Sequence, residues 1–536
     1  MSIIRSLLNR LKVSEPEKSV PSVSPDKTED TPKAKKKKKR SKKKIPSVVK
    51  VSEITGWTYN EALKEMKTVR SQLGVPFKVY LNKEYYLYSR SRQERKAGQY
   101  HRKKELNAKQ YSHIEEKTGM TKKQVNAEIK RLRALKIYPM SFKLYFQYGM
   151  YMLTEDEKIA LLSDLAKMKE LKVPLMDKLQ ELDEKKISFS DVENDVWEYT
   201  EVVKKTLTPA VKGKILSFIR RGVPEWSEYF SEEDLITDME VTRLLLKFGY
   251  DDYMMYHLYR FGLEEKLTFI SDYFREHTLS KINCRALLDL VNNKYDLYKA
   301  LPQYFLRDFT AIYSKNDFEA FRKFITAHKE FVIKPFNESM GRGISLIKIP
   351  EDADLEEEFD QLLKKYRTFL MEERIIQDDR MAAFNPDSLN TVRLMVFYDG
   401  EKAVPVTGFM RTGRVGSFVD NAGAGGVFAS VDCETGILES VGGDERGFLY
   451  DAHPESGLTY LGFRIPNWEG ALQVGCDAIK ALGFVPAFIG WDLALNKEGK
   501  WDIVEGNGFP QFVNQINLGY GLKDRLMKII GDTINK

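Results

Sequence analysis

The chain has 536 residues, 42% of them apolar and 12% aromatic, and no apolar run approaches the eighteen or so residues that span a bilayer. Two or three globular domains in a cytoplasmic protein are expected, without a secretory signal; Cys284, Cys433 and Cys476 are scattered with no CxxC pair, which argues against a disulfide framework and a thiolate metal site. The net charge of +7 divides into +11 over Met1 to Lys50 and −4 over the rest, so a nucleic-acid-binding face built into the body is not expected.

In chain order, Ile3, Ile4, Leu7, Leu8 and Leu11 recur at helical spacing beside Arg5, Arg10 and Lys12, which predicts a short amphipathic helix. A linker then leads to KAKKKKKRSKKK, Lys33 to Lys44, whose like charges repel. Residues 1–50 therefore read as an amphipathic helix and a disordered lysine-rich arm. An apolar stripe beside a basic block suits an anionic membrane surface, where each basic residue adds roughly 1 kcal/mol. A solubilising tail is the alternative.

Residues 51–160 carry an internal repeat. The segments from Thr55 and from Thr118 align without a gap, matching Gly56/Gly119, Lys67/Lys130, Arg70/Arg133, Pro76/Pro139, Tyr85/Tyr148 and Tyr88/Tyr151. Thr58 and Thr121 are expected helix N-caps, so tandem helical units are predicted. A looser third copy runs through FGYDDYMMYHLY, Phe248 to Tyr259. Residues 161–300 read as helical, punctuated at Pro174, Gly213 and Gly222-Val223-Pro224. After Asp317, short strands alternate with helices, so 301–536 is expected to be the catalytic domain of an α+β protein.

Within that domain, FIGWDLAL and WDIVEGN read as two strands joined by the turn NKEGK. Symmetric closure over the turn places Asp492 opposite Glu505, with Asn507 on the same face. Opposed side chains stand about 5 Å apart, and two carboxylates there need a positive group between them. Mg²⁺ suits one Asp, one Glu and one Asn, whereas an acidic surface hairpin is the plainer alternative. Upstream, FVIKPFNESMGRGISLIKI reads strand, loop, strand. Lys334 sits near the end of a buried strand, a costly place for an ammonium unless an anion meets it. The small residues of Asn337 to Gly343 allow backbone N–H groups to close on phosphate oxygens. FLMEERI places Glu372 and Glu373 where a strand leaves the core. Arg393 alternates with Val392 and Leu394, suited either to a structural pair with Glu372 or Glu373 or to stabilising transferring charge.

In this order, a strand lysine with a glycine-rich lid, a Glu-bearing hinge, an Arg strand and an Asp…Glu-x-Asn hairpin, the residues resemble an ATP-grasp enzyme. FGYDDYMMYHLY, the NNK of Asn292 to Lys294, YFLRDF, VIKP, NPDSLNTVRL, DNAGAGG and VEGNGFPQF resemble more narrowly the sugar-transfer-associated ATP-grasp family of bacterial surface-polysaccharide loci. The resemblance covers roughly Phe248 to Lys536. It implies that Lys294 and Lys334 hold ATP phosphates, with Lys334 and Arg393 catalytic, and that Ser339, Gly341, Arg342 and Gly343 belong to the lid. Glu372, Glu373 and Ile375 would meet adenine, and Asp379, chosen over Gln377 and Asp378, the ribose. Asp492, Glu505 and Asn507 would hold Mg²⁺. The implied reaction joins a carboxylate to an amine through an acyl phosphate, on substrates expected to be glycan-linked. A phosphotransferase to a sugar or alcohol, or a nucleotide-binding scaffold, is the alternative.

Overall fold

Thr58 and Thr121 each close a capping box: their hydroxyls accept from the N–H of Glu61 and Gln124, and those side chains accept from the Thr N–H in return, starting the helices Tyr59–Leu73 and Lys122–Ala134. A short helix follows each, Phe77–Asn82 and Phe142–Gln147, and then a 3₁₀ turn, Tyr85–Leu87 and Met150–Met152. The third copy repeats this order from the Ser231 cap through Glu232–Leu245, Tyr250–Met255 and Leu258–Arg260. One residue before each 3₁₀ turn is left-handed: Glu84 (φ 52°), Gly149 (59°) and His257 (51°).

A single acid ties each copy together. Glu128, seven residues past its cap, accepts from Tyr145 Oη at 2.5 Å and from Lys158 Nζ at 2.5 Å. Asp238 accepts from Tyr253 Oη and, at 2.5 Å, from Lys266 Nζ. In the first copy Glu65 takes the acid's place and Gln93 the lysine's, at 3.3 Å, but the hydroxyl of Tyr80 finds no partner among the described residues, so the tie there lacks its tyrosine. The ungapped alignment therefore holds from Thr55/Thr118 to Arg70/Arg133 and then fails. The second copy's inter-helix connection is longer, so Phe77–Asn82 corresponds to Phe142–Gln147 two residues later than expected. Tyr80 matches Tyr145; Pro76/Pro139 and Tyr85/Tyr148 are not equivalent, and Tyr88 of the expected pair Tyr88/Tyr151 lies outside the described residues.

The computed structural model describes residues 45–87, 90–336, 343–417, 420 and 425–534; the helix and lysine-rich arm expected in residues 1–44 lie outside them. Two compact units divide the chain, Met1–Lys109 and Gln110–Lys536. In the first, Val48, Val51, Met66, Val69 and Tyr80 form a small core. The expected boundary at 160/161 falls inside the helix Glu155–Asp183, which carries the second copy's Lys158, so the second and third copies share one unit.

That unit is a mixed helix and sheet body with two antiparallel sheets. The smaller contains β1 (Phe309–Ile312), β2 (Glu330–Pro335), β3 (Ser345–Lys348) and β4 (Phe369–Glu373) in the order β1-β4-β2-β3. One face packs Phe331, Ile333, Phe369 and Met371 on the helices Phe318–Ala327 and Leu355–Tyr366. By alternation Val332, Lys334, Leu370 and Glu372 take the other face. The larger sheet contains β5 (Thr391–Tyr398), β6 (Ala403–Thr412), β7 (Val427–Val431), β8 (Gly442–Gly443), β9 (Leu449–Tyr450), β10 (Ala487–Leu495) and β11 (Trp501–Asn507), in the order β11-β10-β5-β6-β7-β8-β9. Val392, Leu394, Val396 and Leu493 share a core with Ala471 and Ala478 of the helix Trp468–Ala481.

Candidate functional site

The β10–β11 hairpin brings its carboxylates together by a route that symmetric closure does not contain. Near the turn the pairs are Leu495↔Trp501 and Leu493↔Ile503; an irregularity between Asp492 and Leu493 skips Val504, and beyond it Asp492 faces Glu505 and Gly490 faces Asn507. Asp492 also faces Arg393 of β5, and Arg393 faces Phe409 of β6. A row Glu505, Asp492, Arg393, Phe409 thus crosses four strands on one face. Gly490 leaves room for Pro510 and for the row, since a Cβ there would lie 2.5 Å from the Pro510 side chain and 3.1 Å from that of Arg393.

Positive charge between the carboxylates is supplied by the protein itself. Asp492 accepts from Arg393 at both oxygens, at 2.9 Å for Nη2 with Oδ2, and from Arg411 Nη2 at 2.8 Å. Arg393 therefore pairs with Asp492 rather than with Glu372 or Glu373. Glu505 pairs with Lys294, from the first turn of the helix Lys294–Ala300. Burial would raise the Glu505 carboxyl, but Lys294, Lys334 and Arg393 hold it well below the usual carboxylate range.

The facing sheet contributes a second charged cluster. Lys334 Nζ donates to Glu372 Oε2 at 2.7 Å, and Arg307 donates to the same oxygen from Nε at 3.1 Å and Nη2 at 3.0 Å. Arg307 also reaches Asp502 at 2.5 Å and the Ile503 carbonyl at 2.9 Å, so one buried guanidinium rivets the two sheets together. Burial pushes the Lys334 ammonium down despite Glu372, with Arg307 and Lys294 adding to the effect. Such an ammonium gains from a further anion.

Between the sheets lies a cleft of about 1340 Å³, larger than the 300 to 1,000 Å³ or so of a typical ligand pocket. Lys294, Lys334, Glu372, Glu373, Ile375, Asp379, Arg393, Asp492, Glu505 and Asn507 all line it, so the structure brings the predicted residues to one place. The Glu372 side chain pairs through Oε2 with Lys334 and Arg307, which leaves its backbone, with Glu373 and Ile375, at the rim. Of the three residues weighed for the ribose, Gln377 is tied to Asn390 and Ser388, and Asp378 to Arg380. Asp379 remains on the cleft. Gly343 is left-handed at φ 73°, whereas Ser339, Gly341 and Arg342 lie outside the described residues. Arg307, Arg411 and Asp420 also line the cleft, though no sequence motif points to a role for them. Asp420 accepts from Thr391 N at 3.0 Å and stands 3.5 Å from Arg411, with burial raising its carboxyl. An arginine within an apolar run, as in YFLRDF, was the available signal.

Residues 273–531 match the family model described as sugar-transfer associated ATP-grasp. This part of the chain, just under half of the whole, resembles that family. Solved structures similar to it include an L-amino acid ligase from Bacillus licheniformis, at 12% identity over 44% of this chain and 48% of that one, with a TM-score of 0.26. D-cycloserine synthetase DcsG has 14% identity, 49% and 78% coverage and a TM-score of 0.30. The VanG D-Ala:D-Ser ligase from Enterococcus faecalis has 16% identity, 46% and 63% coverage and a TM-score of 0.31. The match spans about half the length of the first of these chains. No curated protein sequence matches the chain.

The donor set of the cleft fits a hard cation. A carboxylate offers about four acceptor sites; Asp492 uses three and Glu505 accepts from Lys294. Asn507 Nδ2 and Glu372 Oε1 are buried polar atoms without a hydrogen-bond partner among the described residues. Asp492, Glu505 and the Asn507 carbonyl are oxygen donors of the kind Mg²⁺ takes, leaving its other positions to water and phosphate.

Proposed function

We propose that the protein is an ATP- and Mg²⁺-dependent carboxylate–amine ligase that works through an acyl phosphate on a cell-surface glycan or its precursor. The observation that carries this reading is the row Glu505, Asp492, Arg393 on one sheet, set across the cleft from Lys334 and Glu372 on the other. Lys294 and Lys334 would hold ATP phosphates, the backbone around Glu373 and Ile375 the adenine, and Asp379 the ribose. Asp492, Glu505 and Asn507 would hold Mg²⁺, which when bound supplies charge neutralisation for the phosphoryl group. Arg393, oriented by Asp492, brings a planar fork of donors to the same place. The protein contributes positioning and electrostatics, and the cleft exceeds one ligand's needs, leaving room for a carboxylate and an amine beside the nucleotide. The glycan assignment rests on the family's association with sugar transfer. A product assay tests the reaction: a ligase releases inorganic phosphate only when both a carboxylate and an amine are present. ADP formed with a sugar or alcohol alone, without free phosphate, would establish a phosphotransferase instead.

A further inference from the structure

The turn between β8 and β9 lies toward the opposite edge of the larger sheet from Glu505, and it is held from two sides. Asp444 accepts from the backbone N–H of Arg446 at 2.9 Å and of Phe448 at 3.1 Å, and also from the Arg446 guanidinium and the Tyr450 hydroxyl. From the third tyrosine-rich copy, the left-handed His257 donates from Nε2 to the Gly447 carbonyl at 2.7 Å. Gly447 (φ 89°) allows that approach, because a Cβ there would lie 2.8 Å from Nε2. The repeat thus reaches the catalytic domain and fixes a turn on the cleft wall.

Glu445 stands in that turn, exposed to the cleft that Arg411, Phe409 and Phe509 also line. Four of the carboxylates that line the cleft are committed: Glu372 to Lys334 and Arg307, Asp420 to Arg411, Asp492 to two arginines and Glu505 to Lys294. Glu373, Asp379 and Asp387 belong to the hinge and the segment after it. Arg446, the cation beside Glu445 in sequence, is taken by Asp444. Glu445 itself makes no hydrogen bond or ion pair among the described residues. Partial desolvation against the cleft wall and the neighbouring Asp444 raise its carboxyl, against the pull of Arg411.

We propose that Glu445 is the general base for the amine acceptor, an assignment that rests on the ligase reading above. An alkylamine arrives as an ammonium and cannot attack until it loses a proton. The Glu445 carboxylate takes that proton, and the nitrogen lone pair forms the C–N bond to the acyl carbon. The C–O bond to the phosphoryl group then breaks with its electron pair leaving on phosphate, and the second nitrogen proton departs with it.

Hydroxylamine provides the discriminating probe, because its nitrogen is already unprotonated at neutral pH. Full-length protein with Mg·ATP would be given each proteinogenic amino acid, D-glucuronate or D-galacturonate as the carboxylate, and ethanolamine or hydroxylamine as the amine. Glu445→Gln, with the thermal midpoint of the wild type, should lower the ratio of ethanolamide to hydroxamate by about 100-fold or more. An unchanged ratio, whether both products persist or both fall together, would overturn the assignment. If the wild type forms neither product with any of these carboxylates, the ligase reading fails and Glu445 loses its role with it.

Discussion

At the residue scale, the site is a set of charges whose partners lie on different strands, so each loss strands another buried charge. Asp492→Asn keeps the shape but leaves Arg393 without its anion and Arg411 with Asp420 alone; Glu505→Gln frees Lys294. Both should fold, with a native circular dichroism spectrum, and lower ATP turnover by roughly 100-fold or more, since even outer-shell metal partners are worth 10- to 100-fold. Wild-type turnover in both variants would remove the metal assignment. These two residues were legible because WDLAL and WDIVEGN read as paired strands. Arg307 and Arg411 were not, because an arginine's partners on distant strands leave no local periodicity to read. The Asp492 and Glu505 opposition was reached through a ladder without the irregularity at Val504; it survives because the pairs near the turn are one residue out of the assumed register and the skipped residue restores it.

At the scale of elements, helix starts were the most legible feature, because a capping box is a local pattern. Thr58, Thr121 and the helices they begin stand where the sequence places them. The second half of the repeat was misaligned by two residues because loop length between helices leaves no periodic trace, whereas FKVYLN and FKLYFQ, once shifted, match. The third copy carries a testable charge. Burial, with Asp272 and Asp251 nearby, pushes the Asp252 carboxyl up to about 7 from an ordinary value of 3.8. The folded state then keeps a proton that the unfolded chain has lost, so this group's contribution to stability falls as pH rises from about 4 to about 7 and stays lost above. Asp252→Asn should therefore raise the thermal midpoint relative to wild type by an amount that grows across that window and levels off beyond it. A difference independent of pH would show that Asp252 ionises normally.

At the scale of the whole molecule, charge divides more sharply at the structural boundary than at the end of the lysine block. Met1–Lys109 carries +18 and Gln110–Lys536 carries −11. Residues 1–50, with sixteen Lys/Arg and the apolar stripe from Ile3 to Leu11, are proposed to bring the enzyme to an anionic membrane. Full-length protein should co-sediment with phosphatidylglycerol vesicles and not with phosphatidylcholine, progressively less as salt rises, and a chain beginning at Val51 should lose most of that binding. Equal binding by the two chains would remove the anchor, and preferential capture of RNA would reassign the arm. Binding of Mg·ATP in the cleft between the two sheets through Lys334 is read by calorimetric titration of full-length protein with a non-hydrolysable ATP analogue in Mg²⁺. Saturable binding that Lys334→Ala weakens roughly 10- to 100-fold, the worth of one charge-assisted contact, is the expected result; no binding, or an affinity that Lys334→Ala leaves unchanged, would contradict it.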